Sequence, residues 1–322
     1  MVRFSKMLFR YRTAVVLALG LLVGLIFMNL IFISDAFRET REINQQSAGL
    51  LGDFVGGYIG TFFTLCTALL LYLTLKNQKE STEINLRLQH ESTERLSFET
   101  KYFELIRLHR ENVAEIDTQG IKGRRFFSAL LREYKAALLE ARSTNGNLGL
   151  DLSAEELSTA AYYAIFYGTG ENSSSMLMAA LRETLDNNFC IQFVKSIEDE
   201  SRKMQAKKKE NLAYTPFEGH QSRLGHYYRH LYQSIKYIDQ HNIENKYDYA
   251  KLIRAQLSNH EQALLLINSL TRLGDKWWSE KYISKYKLVK NIPKNFFSNH
   301  ELDLSKHFDP GYFEWEESSA KS

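Results

Sequence analysis

Apolar positions fall into two regimes along this chain. Two uncharged runs near the N-terminus are apolar on every face, and almost everything after them repeats at the spacing of a single helix face. The first run, 13–33, covers 21 residues with Asn29 as its only strongly polar member, and the second, 54–75, covers 22 residues without a charge. A helix rises about 1.5 Å per residue, so each run can cross a hydrocarbon core of roughly 30 Å. The pattern predicts two transmembrane helices, 13–33 and 54–75, joined by an external loop over 34–53.

Past residue 75 the period shortens to three or four. Residues 76–97 are polar with few apolar members and predict a helical stalk. Phe98, Tyr102, Leu105, Ile106, His109, Val113 and Ile116 then line one face of an amphipathic helix. Phe127, Leu130, Leu131, Tyr134 and Leu138 predict another, ended by a loop over 143–149. Ser153 with Glu156 has the form of a capping box that opens the next helix, which 168–174 breaks. A helical stretch over 175–209, with a turn at Asn187 and Asn188, leads to a loop over 211–219 carrying Pro216. Leu224, Tyr227, Tyr228, Leu231, Ile235 and Ile238 mark a further helix. Ser258 with Glu261 opens another, expected to stop near Gly274, and a last helix over 276–289 ends before Pro293. No alternating strand pattern of useful length occurs. The predicted fold is all-α: a two-helix transmembrane hairpin, a stalk, a cytosolic multi-helix domain over 98–293, and a tail over 294–322. That tail is acidic, with three Lys against six Asp and Glu, yet it holds Phe296, Phe297, Tyr312, Phe313 and Trp315. Such aromatics predict docking rather than a solvated end.

Charge orients the hairpin. Arg3, Lys6, Arg10 and Arg12 precede the first run without an acid among them, the connecting segment is acidic on balance, and Lys76 and Lys79 follow the second run. Basic flanks stay cytoplasmic, so 1–12 and everything after 75 are expected inside, in the inner (plasma) membrane. A cleaved signal peptide fits poorly, because the apolar core is long and no small-x-small site follows it. Gly20/Gly24 and Gly56/Gly60 space small residues by four, which lets membrane helices approach closely. They serve either packing of the two spans on each other or a homo-oligomer. Asp53 at the outer mouth of the second span is expected as a solvated interface residue. Cys66 and Cys190 are too far apart in the chain to imply a disulfide framework or a zinc site.

Residues 76–322 carry a net charge of about +1, without the basic excess of a dedicated nucleic-acid module. The one dense basic cluster, Arg202, Lys203, Lys207, Lys208 and Lys209, reads as a solvated helix end, with anionic lipid or RNA as the other reading. RNA as a partner is open but not favoured by charge.

The sequence lacks a phosphate-cradling loop with its lysine, a His-Glu-x-x-His, a Cys-x-x-Cys and a Gly-x-Ser-x-Gly, and calls for no cofactor. Two constellations remain. His226 and His230 share a helix face, as two metal ligands would, without a third ligand at an expected offset. Arg254 and His260 resemble the active-site spacing of HEPN ribonucleases, in which a histidine takes the 2′-hydroxyl proton and an arginine stabilises charge on the phosphate. The structural alternative is that Ser258 caps a helix, His260 lies in its first turn and Arg254 closes the helix before.

Several segments in order resemble one family. They are 52–57, 73–75 with Gln78, 98–105, 108–113, Gly123–Arg124–Arg125, 224–232, 253–258 with Glu261, and Asn268. In order and spacing they are similar to the AbiC-like membrane family of phage abortive infection proteins, over about residues 50 to 290. The resemblance implies bacterial defence in which an infected cell stops growing or dies before progeny emerge, without a settled biochemical activity. His109, Asn112, His226, Arg229, Arg254, Gln256 and Glu261 fall in the segments alike, whereas the position of His260 is often not histidine in the family. Three functions compete: an effector or sensor that recognises a phage component, oligomerises and damages the bilayer; a membrane-tethered, metal-independent ribonuclease; and a scaffold or regulator without chemistry. Buried charges persist only when paired, so His226, Arg229, Arg254 and Glu261 are expected to form one polar cluster on or between packed helices.

Overall fold

The computed structural model describes residues 45–297 and 302–319, together with isolated positions at 20, 22, 24–26, 29–30, 38–39 and 42–43. The chain divides into two compact units, Met1–Glu91 and Ser92–Ser322. The first predicted span lies outside the described residues apart from a few helical positions, Gly20 and Gly24 among them.

In the first unit, Arg38–Glu39 (β1) pairs antiparallel with Glu42–Ile43 (β2). A helix, α1 (Gln45–Phe54), follows at once. The predicted external loop therefore ends in helix, and Asp53 is an exposed residue of that helix. Val55–Ile59 is a single π-helical turn, closed by the Gly60 N–H on the Val55 carbonyl. Adjacent Gly56 and Gly57 lower the local preference for α geometry, which lets the wider turn form. The longest helix, α2 (Gly60–Glu115), begins there.

Among the described residues, the helical run Gly49–Glu115 alone is long and apolar enough to cross a membrane; its most apolar window has a mean hydropathy of 1.8 and no buried residue. Phe62, Phe63, Leu65, Leu69, Leu70, Leu71 and Leu73 all face outward. The hydroxyls of Thr64, Thr67 and Thr74 donate back to the carbonyls four residues earlier, each at 2.8 Å. Thr82 and Thr100, beyond the apolar run, do the same.

Residues 92–115 of α2 open the second unit, and Phe98, Tyr102, His109 and Val113 are its buried face. The predicted spacing thus identifies that face correctly. A two-residue ladder follows, Asp117–Thr118 (β3) with Ile121–Lys122 (β4). Its turn places Gln119 at φ 45° and Gly120 at φ 91°, the paired positive values of the tight hairpin turn that matches strand twist. Then come α3 (Arg124–Leu148) and α4 (Ala154–Tyr167), the most closely associated pair in the unit. The sequence places a loop over 143–149. The helix instead runs on to Leu148 and stops at Gly149, whose left-handed φ of 62° makes a C-terminal cap. Polar Ser143, Asn145 and Asn147 lower helix propensity without ending a helix whose neighbours hold it.

The stretch predicted over 175–209 is three helices, α5 (Ser173–Arg182), α6 (Asn187–Glu198) and α7 (Glu200–Lys209). Asp186 caps α6 and Asp199 caps α7, each side chain accepting from backbone N–H groups just beyond it. α8 (Gln221–Gln240) buries Leu224, Tyr227, Tyr228, Leu231, Ile235 and Ile238 as its spacing predicts. α9 (Lys246–Arg254) and α10 (Asn259–Ser269) follow. Both predicted capping boxes form, Ser153 with Glu156 and Ser258 with Glu261. α10 ends five residues before Gly274. That glycine is needed for a different reason: a Cβ there would lie 2.5 Å from the Asn268 carbonyl oxygen. The predicted last helix breaks into α11 (Lys276–Ser279) and α12 (Tyr282–Lys285), with Lys281 left-handed between them. The tail packs into the same core: Phe297, Leu302, Phe308, Tyr312 and Phe313 are buried with the helices, and a short α13 (Glu314–Ser319) follows.

One buried carboxylate fastens the loop before α8. Glu133 of α3 is fully enclosed. It accepts from the Tyr214 hydroxyl at 2.7 Å, the Phe217 N–H at 2.6 Å and the His220 ring at 2.9 Å. Beside it the chain passes itself at Gly168 and Gly219, where a Cβ on either would come within 2.2 Å of the other strand's backbone.

Candidate functional cleft

The last turns of α2 and the first turn of α3 are joined by the β3–β4 hairpin, and this short connection brings them together. The Gly123 N–H closes it on the Ile116 carbonyl at 2.9 Å. Gly123 itself has φ 60° and ψ −137°, a conformation that suits only glycine, and as N-cap of α3 it offers no capping side chain. The result is an open cleft of about 570 Å³ lined by His109, Arg110, Val113, Ala114, Gly123, Arg124 and Gln256.

Arg124 spans the cleft floor. Its Nη2 donates to the Gln256 carbonyl at 2.7 Å, and its Nε lies 3.9 Å from Glu261 Oε2. Glu261, fully buried, has a second duty besides capping α10. Its carboxylate accepts from the Ser258 N–H at 2.8 Å and hydroxyl at 2.6 Å, and from the Tyr227 hydroxyl at 3.1 Å. Burial, and then the Glu261 charge, hold the Tyr227 hydroxyl well above its ordinary range. A capping box at the start of α10 is thus tied to α8 and to the arginine that begins α3.

Above this floor sits a pair of histidines. His109 is 4 % exposed, and its ring stacks on His230 at 5.9 Å and leans on Tyr227 at 5.4 Å. Neither ring nitrogen of His109 has a hydrogen-bond partner among the described residues, and the same holds for His230. Burial, with lesser contributions from His230 and Arg124, pushes His109 down to about 4. Burial and His226 lower His230 as well. Both rings are neutral at neutral pH, each with one N–H and one lone pair to offer. Arg110 at the cleft's edge is exposed and has no hydrogen bond or ion pair among the described residues.

The remaining sequence-derived residues distribute around this centre. Asn112 and His226 line a neighbouring cleft of about 200 Å³ with Glu115, Asp117 and Arg223. His226 and Arg229 are on the exposed face of α8. Arg254 is buried at the end of α9, where Nη1 donates to the Lys287 carbonyl at 2.8 Å and the Tyr286 carbonyl at 3.3 Å, with the Tyr247 ring 5.9 Å from its guanidinium. The one polar cluster expected from His226, Arg229, Arg254 and Glu261 is therefore divided. Arg254 is committed to the α12 side, Glu261 belongs to the cleft floor, and His226 and Arg229 face outward. His260 is half-buried with its ring edge-on to Phe296 at 5.3 Å, and among the described residues no hydrogen bond joins it to Arg254. His230, the other member of the considered metal pair, turns inward to His109, and no group of three ligating side chains forms among the described residues. Sequence reasoning passed over Arg124, Tyr227 and Glu133 as site residues. The signal for Arg124 was present: Gly-Arg directly after a tight turn sets a cation at the head of a long helix.

Residues 219–297, which include α8, α9, α10 and Gln256, match the family model described as putative phage abortive infection protein. No curated protein matches the chain. No solved structure matches it either.

Proposed function

We propose that this chain, whose residues 219–297 match the phage abortive infection family model, is a membrane-anchored effector of anti-phage defence. Its Ser92–Ser322 unit senses infection and its N-terminal apolar helices act on the bilayer. The family match over 219–297 supports phage defence in general. The finer reading rests on one observation: the helix through 54–75 is apolar on every side and buries none of its most apolar window. A soluble protein does not leave such a surface open to water. Within it, Gly56 has nothing within 4 Å of a Cβ position and Gly60 meets only its own helix, so that face is open to another helix. The complete anchor is a hairpin with 13–33 as first span, both ends and the main unit cytoplasmic, in the inner membrane. Oligomerisation through the small-residue faces then damages the membrane when a phage component is sensed.

The ribonuclease reading gains nothing from the geometry, since Arg254 spends its guanidinium on the carbonyls of Tyr286 and Lys287. The deciding experiment follows membrane potential and total RNA together in infected cells expressing the full chain. Early depolarisation with intact RNA is the expected result. RNA decay under a normal potential would overturn the membrane mechanism, and survival of the cells with neither change would leave only a regulator.

A further inference from the structure

We propose that the cleft between α2 and α3 is a binding site for a phosphate monoester, held by Arg110, Arg124, His109 and the uncapped N-terminus of α3. Four observations converge there. α3 runs for 25 residues and begins at Gly123 without a capping side chain. The Gly123 and Phe126 N–H groups are spent on the Ile116 and Gly123 carbonyls, which leaves the N–H groups of Arg124 and Arg125 at the positive end of the helix dipole, beside a cleft that Gly123 and Arg124 line. Gly123, lacking a Cβ, lets a ligand approach the backbone closely. Arg124 is braced from below by the Gln256 carbonyl and stands 59 % exposed beside the buried Glu261. Such bracing leaves donors of its planar fork for an oxyanion. Arg110, on the opposite wall, is a cation with no partner among the described residues.

The fourth observation distinguishes this cleft from an ordinary helix start. His109 lines the cleft, is 4 % exposed and has both ring nitrogens unpaired. Leaving a buried polar group unpaired is costly, and a ligand oxygen accepting from the ring N–H removes that cost. The neutral ring suits this role, donating without adding charge. The volume, about 570 Å³, lies in the range of small-molecule sites. A phosphate monoester meets all these groups, since its oxygens accept from two guanidiniums, a ring N–H and backbone N–H groups at once. Two sources carry it, a free nucleotide and the headgroup of an acidic lipid such as phosphatidic acid. This site deepens the sensing role of the Ser92–Ser322 unit, but binding is measured without infection, so its failure is separable from failure of the membrane mechanism.

The full chain in nanodiscs of neutral lipid is titrated with adenosine 5′-monophosphate and with inorganic phosphate, and compared with nanodiscs containing phosphatidic acid. Binding is read calorimetrically and by the ring ¹⁵N resonances of His109. Saturable binding of the nucleotide, or a His109 shift produced only by phosphatidic acid, supports the site and names the source. Arg110→Gln should weaken binding about tenfold while leaving the melting temperature of the free protein unchanged. His109→Phe fills the same space without nitrogens, and it should weaken binding while keeping or raising stability. Binding that is unaffected in both folded variants, or no response to any of the three probes, would overturn the assignment.

Discussion

Glu133 spends most of its acceptor capacity on one loop. Three donors from a loop 81 to 87 residues away converge on a carboxylate with no solvent exposure. Removing it strands the Tyr214 hydroxyl, the Phe217 N–H and the His220 ring together. Glu133→Ala should cost roughly 3–5 kcal/mol, and a thermal melt of the variant should show a fall on the order of 10 °C. The histidines make a different prediction, in pH. His109 titrates near 6.5 when unfolded and is pushed down to about 4 when folded. Between those values the unfolded chain binds the additional proton, so stability falls as pH drops from about 6.5 to about 4 and is unaffected by this group above that window. The loss is on the order of 3 kcal/mol at most, with His230 acting in the same direction. Chemical denaturation across that window checks it, and His109→Phe should flatten the curve. Nothing in the sequence distinguished Glu133, and although His109 and His230 stood out there, their contact with each other did not. A glutamate and a histidine 87 positions apart are legible as partners only once the Gly168–Gly219 crossing is known.

At the scale of elements, the sequence carried helix faces well and helix ends unevenly. The buried faces of α2 and α8 follow from period alone because a helix against a core has only one way to turn its apolar stripe. Both capping boxes were equally legible, being local. Ends decided by tertiary contacts were not: α3 runs through Ser143–Asn147 because its neighbours hold it, and 276–289 breaks because Lys281 and Lys287 take left-handed backbone. That break is where Arg254 acts. Its two carbonyl contacts fix the segment after α12 against the end of α9, so Arg254→Ala should lower the melting temperature of the protein. His260→Ala should lower it much less, since that ring loses only one edge contact to Phe296. Melting curves of the two variants, read beside plaque reduction, separate structure from chemistry. Two variants as stable as the wild type but inactive would restore the ribonuclease.

For the whole molecule, the tail changes where the second unit ends. A boundary at 293 follows from Pro293 and from the acidic composition beyond it, yet Phe297, Leu302, Phe308, Tyr312 and Phe313 are core residues. The Tyr312 hydroxyl donates to the Ile283 carbonyl at 2.8 Å, and the Trp315 indole N–H to the Ile292 carbonyl at 3.1 Å. A fragment over 92–322 should therefore give a strongly helical circular dichroism spectrum and a cooperative melt. One cut after 293 should expose apolar surface, bind a hydrophobic dye and aggregate. Equal behaviour of the two fragments would show that the tail adds little.

The same tail sets an order of events at the ribosome. Chains fold from the N-terminal side as they emerge, and the apolar helix through 54–75 leaves the tunnel long before Tyr312 does. On the membrane-anchored reading proposed above, targeting begins while the core still lacks its last layer of aromatic rings. A chain anchored as proposed above reaches the bilayer with its core unfinished, and its second unit acquires a closed core only once translation has passed residue 313.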